Sequence, residues 1–242
     1  MAKYALLREG ALAGGMVDAA HLHEPLRVSH DDLHRVHTCA YVDGVEHGTL
    51  EATHQRRIGL PWSEAFVERA FRVVRGTIEA STHAVAHGVA MNLASGTHHA
   101  FPDRGEGFCV FNDVAIAIRN LQAEGRIRRA CVVDLDVHQG NGTNAAFAGD
   151  DSVYTFNMHG SKNFSFHKVP GSRDEELSDG MGDEEYLSRL ADALPCKRLQ
   201  LPADTPDALA PRRQLQDAEC CDRYRQANRL DWRDVATDSC AA

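Results

Sequence analysis

The strongest constraint on the fold is an apolar run that leads into acidic and imidazole side chains. Residues 130–137 read ACVVDLDV, and His138 follows. The apolar start and the β-branched residues predict a parallel strand that is buried on both faces. Alternate side chains of a strand share one face, so Asp134, Asp136 and His138 should lie together as the strand reaches its carboxyl end. The chain is therefore expected to build a sheet around a strand that ends in reactive groups.

Helical and strand patterns alternate on both sides of this run. Apolar residues recur at helical spacing over residues 63–91 and again over 108–120, a short helix is predicted at 143–148, and a second buried strand at 152–158. This alternation predicts an α/β fold with three αβα layers around a central, mostly parallel sheet. Ligands of such folds bind beyond the carboxyl ends of the strands, where the reactive groups are expected.

The composition excludes several classes of protein. The chain has 242 residues and a formal net charge of −9, and short basic pairs such as Arg56 and Arg57 do not form the patch expected of a nucleic-acid-binding protein. No stretch approaches the roughly 20 apolar residues that cross a bilayer, so we expect a cytoplasmic protein without a membrane segment. Seven cysteines without a C-x-x-C pair predict neither a disulfide framework nor a cysteine zinc finger.

The amino-acid usage changes after Pro195. Residues 196–242 contain no Ile, Phe or Met, and they hold four of the seven cysteines. No helical or strand period persists there. We therefore divide the chain into a first domain, residues 1–195, and a divergent tail of unknown fold, residues 196–242. A disordered tail and a shifted reading frame are both hypotheses for this segment.

The predicted strand end favours a metal site. Two carboxylates and an imidazole on one side of a buried strand require a cation or a hydrogen-bond network to offset their desolvation. One imidazole with carboxylate suits zinc, iron or manganese better than magnesium, and a catalytic zinc ion keeps three protein ligands plus water. A magnesium-binding D-x-D pair and a plain polar strand end are the alternatives.

A tandem histidine pair, His98 and His99, stands upstream in a glycine-containing segment. Hydrolysis of an amide needs a base for the attacking water and an acid for the leaving nitrogen. Two imidazoles, each with its own polar partner, could supply both. The pair alone is often surface decoration, and it gains meaning only beside a metal-binding strand.

Three segments together resemble the signatures of the histone deacetylase family in order and spacing: GTHHAF at 96–101, GFCVFNDVAIAI at 107–118 and DLDVHQGNGT at 134–143. The wording around Gln139 is similar to that of class IV and bacterial members. The resemblance implies an arginase-deacetylase fold and a zinc-dependent mechanism in which metal-bound water attacks an acetyl-amide. The implied substrate is acetyl-lysine in a protein or a small acetylated amine such as a polyamine.

The resemblance also implies a role for each matching residue. Zinc would be held by Asp136 and His138. His99 would be the general base with Asn141 as its partner, and His98 would act electrostatically with Asp134 as its partner. The wall of the acyl-lysine tunnel would include Gly107 and Phe108, and a structural potassium ion would lie at Asp134 and Asn157.

The chain departs from the family pattern at both ends, because the resemblance runs from Lys3 to Pro195. Relatives continue into a strand ending in Gly-x-Asp, which carries the third zinc ligand, and into a Gly-Gly-Tyr segment with an oxyanion donor. Asp204 lies between prolines that oppose a central strand, and Tyr224 has no such glycines. The third ligand is therefore not identified.

Two other functions stay open from the sequence. The chain could be a catalytically inactive binding module, since the third ligand and the tyrosine are missing. An arginase-like two-manganese enzyme fits less well, because the extra bridging carboxylates are not visible. The oligomeric state is left open.

Overall fold

Helices and a small sheet make up the part of the chain that the structure, a computed structural model, describes, residues 2–194. Residues 2–193 belong to one unit by their contacts. The helices are α1 (Ala2–Ala13), α2 (His30–Leu33), α3 (Cys39–His47), α4 (Ala52–Ile58), α5 (Glu64–His87), α6 (Asp113–Ala123), α7 (Asn141–Ala146) and α8 (Asp183–Ala193). The strands are β1 (Ala130–Asp134), β2 (Val153–Gly160) and β3 (Arg173–Leu177), and a single 3-10 turn spans Ala19–His21.

Polar caps explain where several helices begin. The hydroxyl of Ser63 accepts a hydrogen bond from the Phe66 N–H at the start of α5, and Asn112 Oδ1 accepts one from the Ala115 N–H at the start of α6. Each cap satisfies an N–H group that has no partner inside the helix. Helix α4 ends at Ile58 and is capped by Gly59, whose φ of 78° favours glycine.

The three strands form a parallel sheet in the order β1-β2-β3 within the described part of the chain. Asp134 is paired with Asn157 between β1 and β2, and Asn157 is paired with Asp174 between β2 and β3. Polar residues of three strands thus lie side by side across the sheet. The predicted α/β fold with a parallel sheet is confirmed.

Two groups of buried side chains hold the helices together and hold α6 to the sheet. The first joins α2–α6, and its centre is an edge-to-face contact of Phe71 with Phe111 at 5.5 Å between ring centroids. The second includes Ile118 of α6, Phe147 and Val153 of β2. Helix α6 contributes to both groups and so joins the helices to the sheet.

Strand β1 is shorter and more exposed than predicted. It ends at Asp134, whereas the prediction extended it to Val137. The Asp134 carboxylate accepts a hydrogen bond from the Asp136 N–H at 3.0 Å, and such side-chain to backbone bonds compete with extended pairing. Burial on both faces is also wrong, because Val133 and Val137 are 43% and 54% exposed.

One further helix begins later than predicted, and some predictions concern residues that the structure does not describe. Helix α6 begins at Asp113, not at Phe108, because positive φ angles at Gly107 and Phe108 keep this segment out of a helix. Asp204, Tyr224 and the tail predicted for residues 196–242 lie outside the described residues. No helix within residues 2–194 is long and apolar enough to span a membrane.

Candidate active site

The loops that follow β1 and precede α6 open into one cavity of about 1310 Å³. Of the nine predicted site residues, eight line this cavity. They are His98, His99, Gly107, Phe108, Asp134, Asp136, His138 and Asn141. The ninth, Asn157, is buried on β2 and holds the adjacent loop, since its Oδ1 accepts a hydrogen bond from the Gly140 N–H at 3.0 Å.

His98 is paired with a carboxylate. Its Nδ1 lies 2.6 Å from Asp134 Oδ2, and both side chains are largely buried. Burial alone would lower the pKa of His98, but the hydrogen bond and the charge of Asp134 outweigh it and raise this pKa above its ordinary value. His98 is therefore biased toward the protonated, cationic form.

His99 is paired with an amide instead. Its Nδ1 lies 2.8 Å from Asn141 Oδ1, and the same oxygen accepts the Gly142 N–H. Because Asn141 Oδ1 acts as an acceptor, the proton of a neutral His99 sits on Nδ1 and Nε2 keeps its lone pair. Burial, followed by the charge of neighbouring His98, lowers the pKa of His99 to about 4. His99 is thus a neutral imidazole with a free proton-accepting nitrogen.

Asp136 and His138 lie side by side as possible metal donors. Asp136 Oδ1 accepts from the backbone N–H of His138 at 2.8 Å and lies 2.9 Å from His138 Nδ1. Burial would raise the pKa of Asp136, but the His138 N–H and the charge of His98 together lower it. The carboxylate is therefore held in its anionic, metal-binding form.

The described residues fit a metal ion incompletely. No group of three or more His, Cys, Asp or Glu side chains that could hold a metal ion is found among residues 2–194. Asp136 and His138 supply one carboxylate and one imidazole, two of the three protein donors that a catalytic zinc ion uses. Asp134 and Asn157, predicted for potassium, are also engaged within the protein through Asp136 and Gly140.

Aromatic rings flank the histidine pair. Phe108 is 67% exposed and has a φ of 65°, an uncommon backbone conformation for a bulky residue. Phe164 stands edge-on to His99 with 5.0 Å between ring centroids. Phe164 could not be predicted from the sequence, because it lies in an irregular loop after β2 with no periodicity or motif to mark it. The rings give the cavity an apolar lining next to polar groups.

A glycine lets these rings and the histidine approach one another. A Cβ atom at Gly107, whose φ is 57°, would lie 2.8 Å from His99 Cδ2 and 2.8 Å from Phe164 Cε1. Both distances are shorter than van der Waals contact. Close approach and backbone conformation therefore both require glycine at this position.

A cysteine also lines the cavity, but it is not suited to nucleophilic attack. Cys109 is buried, and burial raises the pKa of its thiol to about 12. A reactive cysteine needs a thiolate, which this surrounding disfavours. Cys109 is therefore not a candidate nucleophile of this cavity.

Two adjacent imidazoles, one bonded to a carboxylate and one to an amide, lie beside a further carboxylate-imidazole pair where β1 ends. On an α/β fold with a parallel sheet, these groups define a hydrolase-type site. A sequence profile described as "Histone deacetylase domain" matches residues 2–196. The chain therefore belongs to the histone deacetylase family, a family of hydrolytic deacetylases.

Relatives and solved structures agree with this membership. The chain is 44% identical over 191 residues to an uncharacterized protein of Picosynechococcus, covering 79% of this chain and 64% of that protein. It is 31% identical to Histone deacetylase 2 of Arabidopsis thaliana over 76% of this chain and 50% of the relative. It is 30% identical to Acetoin utilization protein AcuC of Staphylococcus xylosus, over 65% of this chain and 43% of that protein.

The structural neighbours share the fold. A crystal structure of a histone deacetylase homolog from Aquifex aeolicus superimposes with a TM-score of 0.69 and 25% identity, over 80% of this chain and 57% of that chain. A histone deacetylase homolog complexed with SAHA superimposes with a TM-score of 0.70 and 26% identity, over 80% of this chain and 58% of that chain. The chain thus spans less than two thirds of the length of these relatives.

Proposed function

We propose that this chain carries the site of a zinc-dependent deacetylase that hydrolyses the acetyl-amide of acetyl-lysine in proteins or of a small acetylated amine. One observation carries the proposal, namely that the adjacent imidazoles have chemically different partners: His98 Nδ1 lies 2.6 Å from the carboxylate of Asp134, and His99 Nδ1 lies 2.8 Å from the amide oxygen of Asn141. Amide hydrolysis needs such a division, because one group must accept a proton while another opposes the negative charge that develops.

His99 is the proton acceptor in this mechanism. Its Nδ1 is committed to Asn141, so Nε2 takes a proton from the attacking water as the new C–O bond forms. The same nitrogen returns that proton to the leaving amine when the C–N bond breaks. The products are the free amine and acetate.

His98 and the metal donors stabilise the charge. Asp134 raises the pKa of His98 and so favours its cationic form, which would oppose the negative charge that develops on the carbonyl oxygen. Asp136 and His138 would hold zinc, and no third donor is identified among residues 2–194. When bound there, zinc supplies a Lewis acid that polarises the carbonyl and makes water more acidic.

The aromatic side chains select the substrate. Phe108 and Phe164 would contact the methylene chain that separates an acetylated nitrogen from the rest of the substrate. An apolar wall favours such a chain over a charged, unacetylated one, because burial of an ammonium group without a partner is costly. One structural neighbour is complexed with SAHA, and we expect the cavity of this chain to bind SAHA as well.

The test is deacetylation of a fluorogenic acetyl-lysine peptide and of an acetylated polyamine by the purified chain with added zinc. His99→Ala should abolish turnover. His87→Ala is the matched control, because it removes an exposed imidazole at the end of α5 and should leave turnover unchanged. Turnover that survives His99→Ala would refute the proposal.

A binding module is the second candidate, favoured by the incomplete donor set within residues 2–194. It predicts that acetyl-lysine peptide binds the wild-type chain in calorimetry but is not hydrolysed at any zinc concentration. Hydrolysis by the wild-type chain excludes this alternative.

A further inference from the structure

A carboxylate that the mechanism does not use lies directly behind the histidine pair. Asp113, the first residue of α6, is completely buried. Its Oδ2 accepts hydrogen bonds from the hydroxyls of Thr77 at 2.6 Å and Ser95 at 2.7 Å. Its Oδ1 accepts from the Thr97 N–H at 3.0 Å and lies 2.5 Å from the Thr97 hydroxyl, whose one proton is shared with the Phe111 carbonyl, also at 2.5 Å. The N–H of Gly96 lies 3.4 Å from Oδ2.

The described partners of this carboxylate are neutral donors and the amino-terminal end of a helix. A buried charge without a cation costs several kcal/mol unless hydrogen bonds and dipoles offset the lost hydration. Hydroxyl and N–H donors together with the positive end of α6 do so here. Buried ions contribute little net stability compared with apolar residues, but they fix the geometry of their donors.

Most of these donors belong to one short segment. Ser95, Gly96 and Thr97 directly precede His98, whereas Thr77 alone comes from α5. Three consecutive residues are thus directed at one carboxylate immediately before the histidine pair. The position of the His98 backbone depends on where this segment lies.

The opposite side of the pair is held by other residues. Asn112 Nδ2 donates to the Ala100 carbonyl at 3.2 Å, and the Thr143 N–H donates to the His98 carbonyl at 3.0 Å. The pair is therefore fixed between two anchors. Only the preceding anchor consists of the Asp113 carboxylate.

We propose that Asp113 is a positioning residue of the deacetylase site, whose buried carboxylate fixes segment 95–97 and thereby places His98 and His99 over the metal donors. This inference rests on the proposed function. Asp113 acts through the two histidines and touches neither substrate nor metal.

The test compares hydroxyl donors to the same carboxylate. Thr97→Val and Ser95→Ala each remove a donor on the segment, and Thr77→Val removes a donor that lies on α5. If Asp113 only stabilises the fold, loss of a donor from α5 and loss of a donor from segment 95–97 should have equal effects on the histidine signals and on kcat. If Asp113 positions the histidines, loss of a donor from segment 95–97 should have the larger effect. Thr97→Ser keeps the hydroxyl and serves as the rescue variant.

Two readouts separate positioning from stability. The first is NMR of chain labelled at histidine nitrogens, in which the Nδ1–H signals of His98 and His99 report their bonds to Asp134 and Asn141. The second is kcat and KM for the acetyl-lysine peptide, measured with the melting temperature of each variant. The NMR readout needs no turnover, so it decides the positioning role even if the proposed function fails.

The expected result is broadened Nδ1–H signals and a fall in kcat of about 10-fold to 100-fold, with KM unchanged, in Thr97→Val and to a smaller degree in Ser95→Ala. Thr77→Val should keep both signals and kcat at a similar loss of melting temperature, and Thr97→Ser should restore them. Equal effects of Thr77→Val and the segment variants, or intact signals in all variants, would overturn the inference. Absent wild-type turnover with the expected NMR pattern would refute the proposed function alone.

Discussion

His98 and His99 are neighbours in the chain, yet their Nδ1 partners make them chemically different. Asp134 is an anion and raises the pKa of His98, whereas neutral Asn141 cannot offset the burial that lowers the pKa of His99 to about 4. Besides burial and the charge of His98, the difference reflects the negative charge that Asp134 carries and Asn141 lacks. An anionic partner favours the protonated imidazole, and an amide only orients it.

Replacing that amide tests this reasoning. Asn141→Asp should raise the pKa of His99 by about 1–3 units, because a carboxylate within hydrogen-bond distance stabilises the imidazolium. An NMR titration of the His99 ring measures the shift directly. Asn141→Ala removes the partner without adding charge, so it should not raise the pKa in this way. Equal titration of His99 in both variants would contradict the argument.

Gly107 gives a steric prediction at the same scale. Gly107→Ala should destabilise the fold by about 1–3 kcal/mol, because it adds a strained positive φ and places Cβ against His99 and Phe164. Urea unfolding measures the loss. Gly149→Ala is the matched control, since Gly149 also has a positive φ of 77° but nothing within 4 Å of its Cβ position. The excess loss at Gly107 over Gly149 isolates the contact, and the absence of any excess would refute it.

The motif residues of the site could be predicted from sequence, whereas Phe164 and Asp113 could not. Asp134 stands in a predicted buried strand, where a carboxylate needs a compensating partner, and His98 belongs to a tandem histidine pair. Both features indicate a functional site from the sequence alone. Phe164 is an aromatic residue in an irregular loop, and its contact with His99 depends on the path of that loop. Asp113 reads as an ordinary acidic residue in the first turn of a helix, and only its burial distinguishes it.

The prediction of helices and strands succeeded where the periodic pattern is long. It failed where side chains form hydrogen bonds with the backbone. Helix α5 and strand β2 follow the expected patterns closely. Strand β1 ends early because the carboxylates of Asp134 and Asp136 accept the N–H groups two residues on. Such local bonds cannot be weighed against strand pairing from the pattern alone.

A buried histidine connects two elements and makes their packing sensitive to pH. His37, between α2 and α3, accepts the Asn112 N–H through Nε2 at 2.9 Å, at the start of α6. Burial lowers the pKa of His37 to about 4 from the usual 6.5, although nearby backbone carbonyls oppose this. The unfolded chain therefore binds a proton at a pH where the folded chain does not.

The sign follows from this depressed pKa. The contribution of neutral His37 to the free energy of unfolding is fully present above pH 6.5. It is lost as the pH falls from 6.5 toward 4, and the loss amounts to about 3 kcal/mol. Urea unfolding at several pH values measures the slope. Because His99 has a similarly lowered pKa, the wild type is compared with His37→Gln, which keeps an acceptor for Asn112 but does not titrate. Identical pH slopes in the two proteins would contradict the prediction.

At the scale of the whole molecule, metal binding and folding should be coupled. Asp136 and His138 lie in a bent segment after β1, which a bound ion would fix against the sheet. A ligand that binds only the folded state stabilises it by roughly 2.7 kcal/mol at a free concentration about 100 times its Kd. Added zinc should therefore raise the melting temperature of the chain, and a chelator should reverse the change.

A zinc-dependent rise in melting temperature could also come from zinc bound elsewhere on the surface, so the two sites have to be distinguished. His83 and His87 stack at 4.1 Å on α5 and form a second imidazole pair that zinc could reach. We expect His138→Ala to abolish the zinc-dependent rise in melting temperature and His83→Ala to leave it unchanged, because only the first removes a donor beside the Asp136 carboxylate. A rise that survives His138→Ala but disappears in His83→Ala would place the ion on α5. The contribution of Asp136 and His138 to zinc binding would then be refuted, while the geometry of His98 and His99 would stand unaffected.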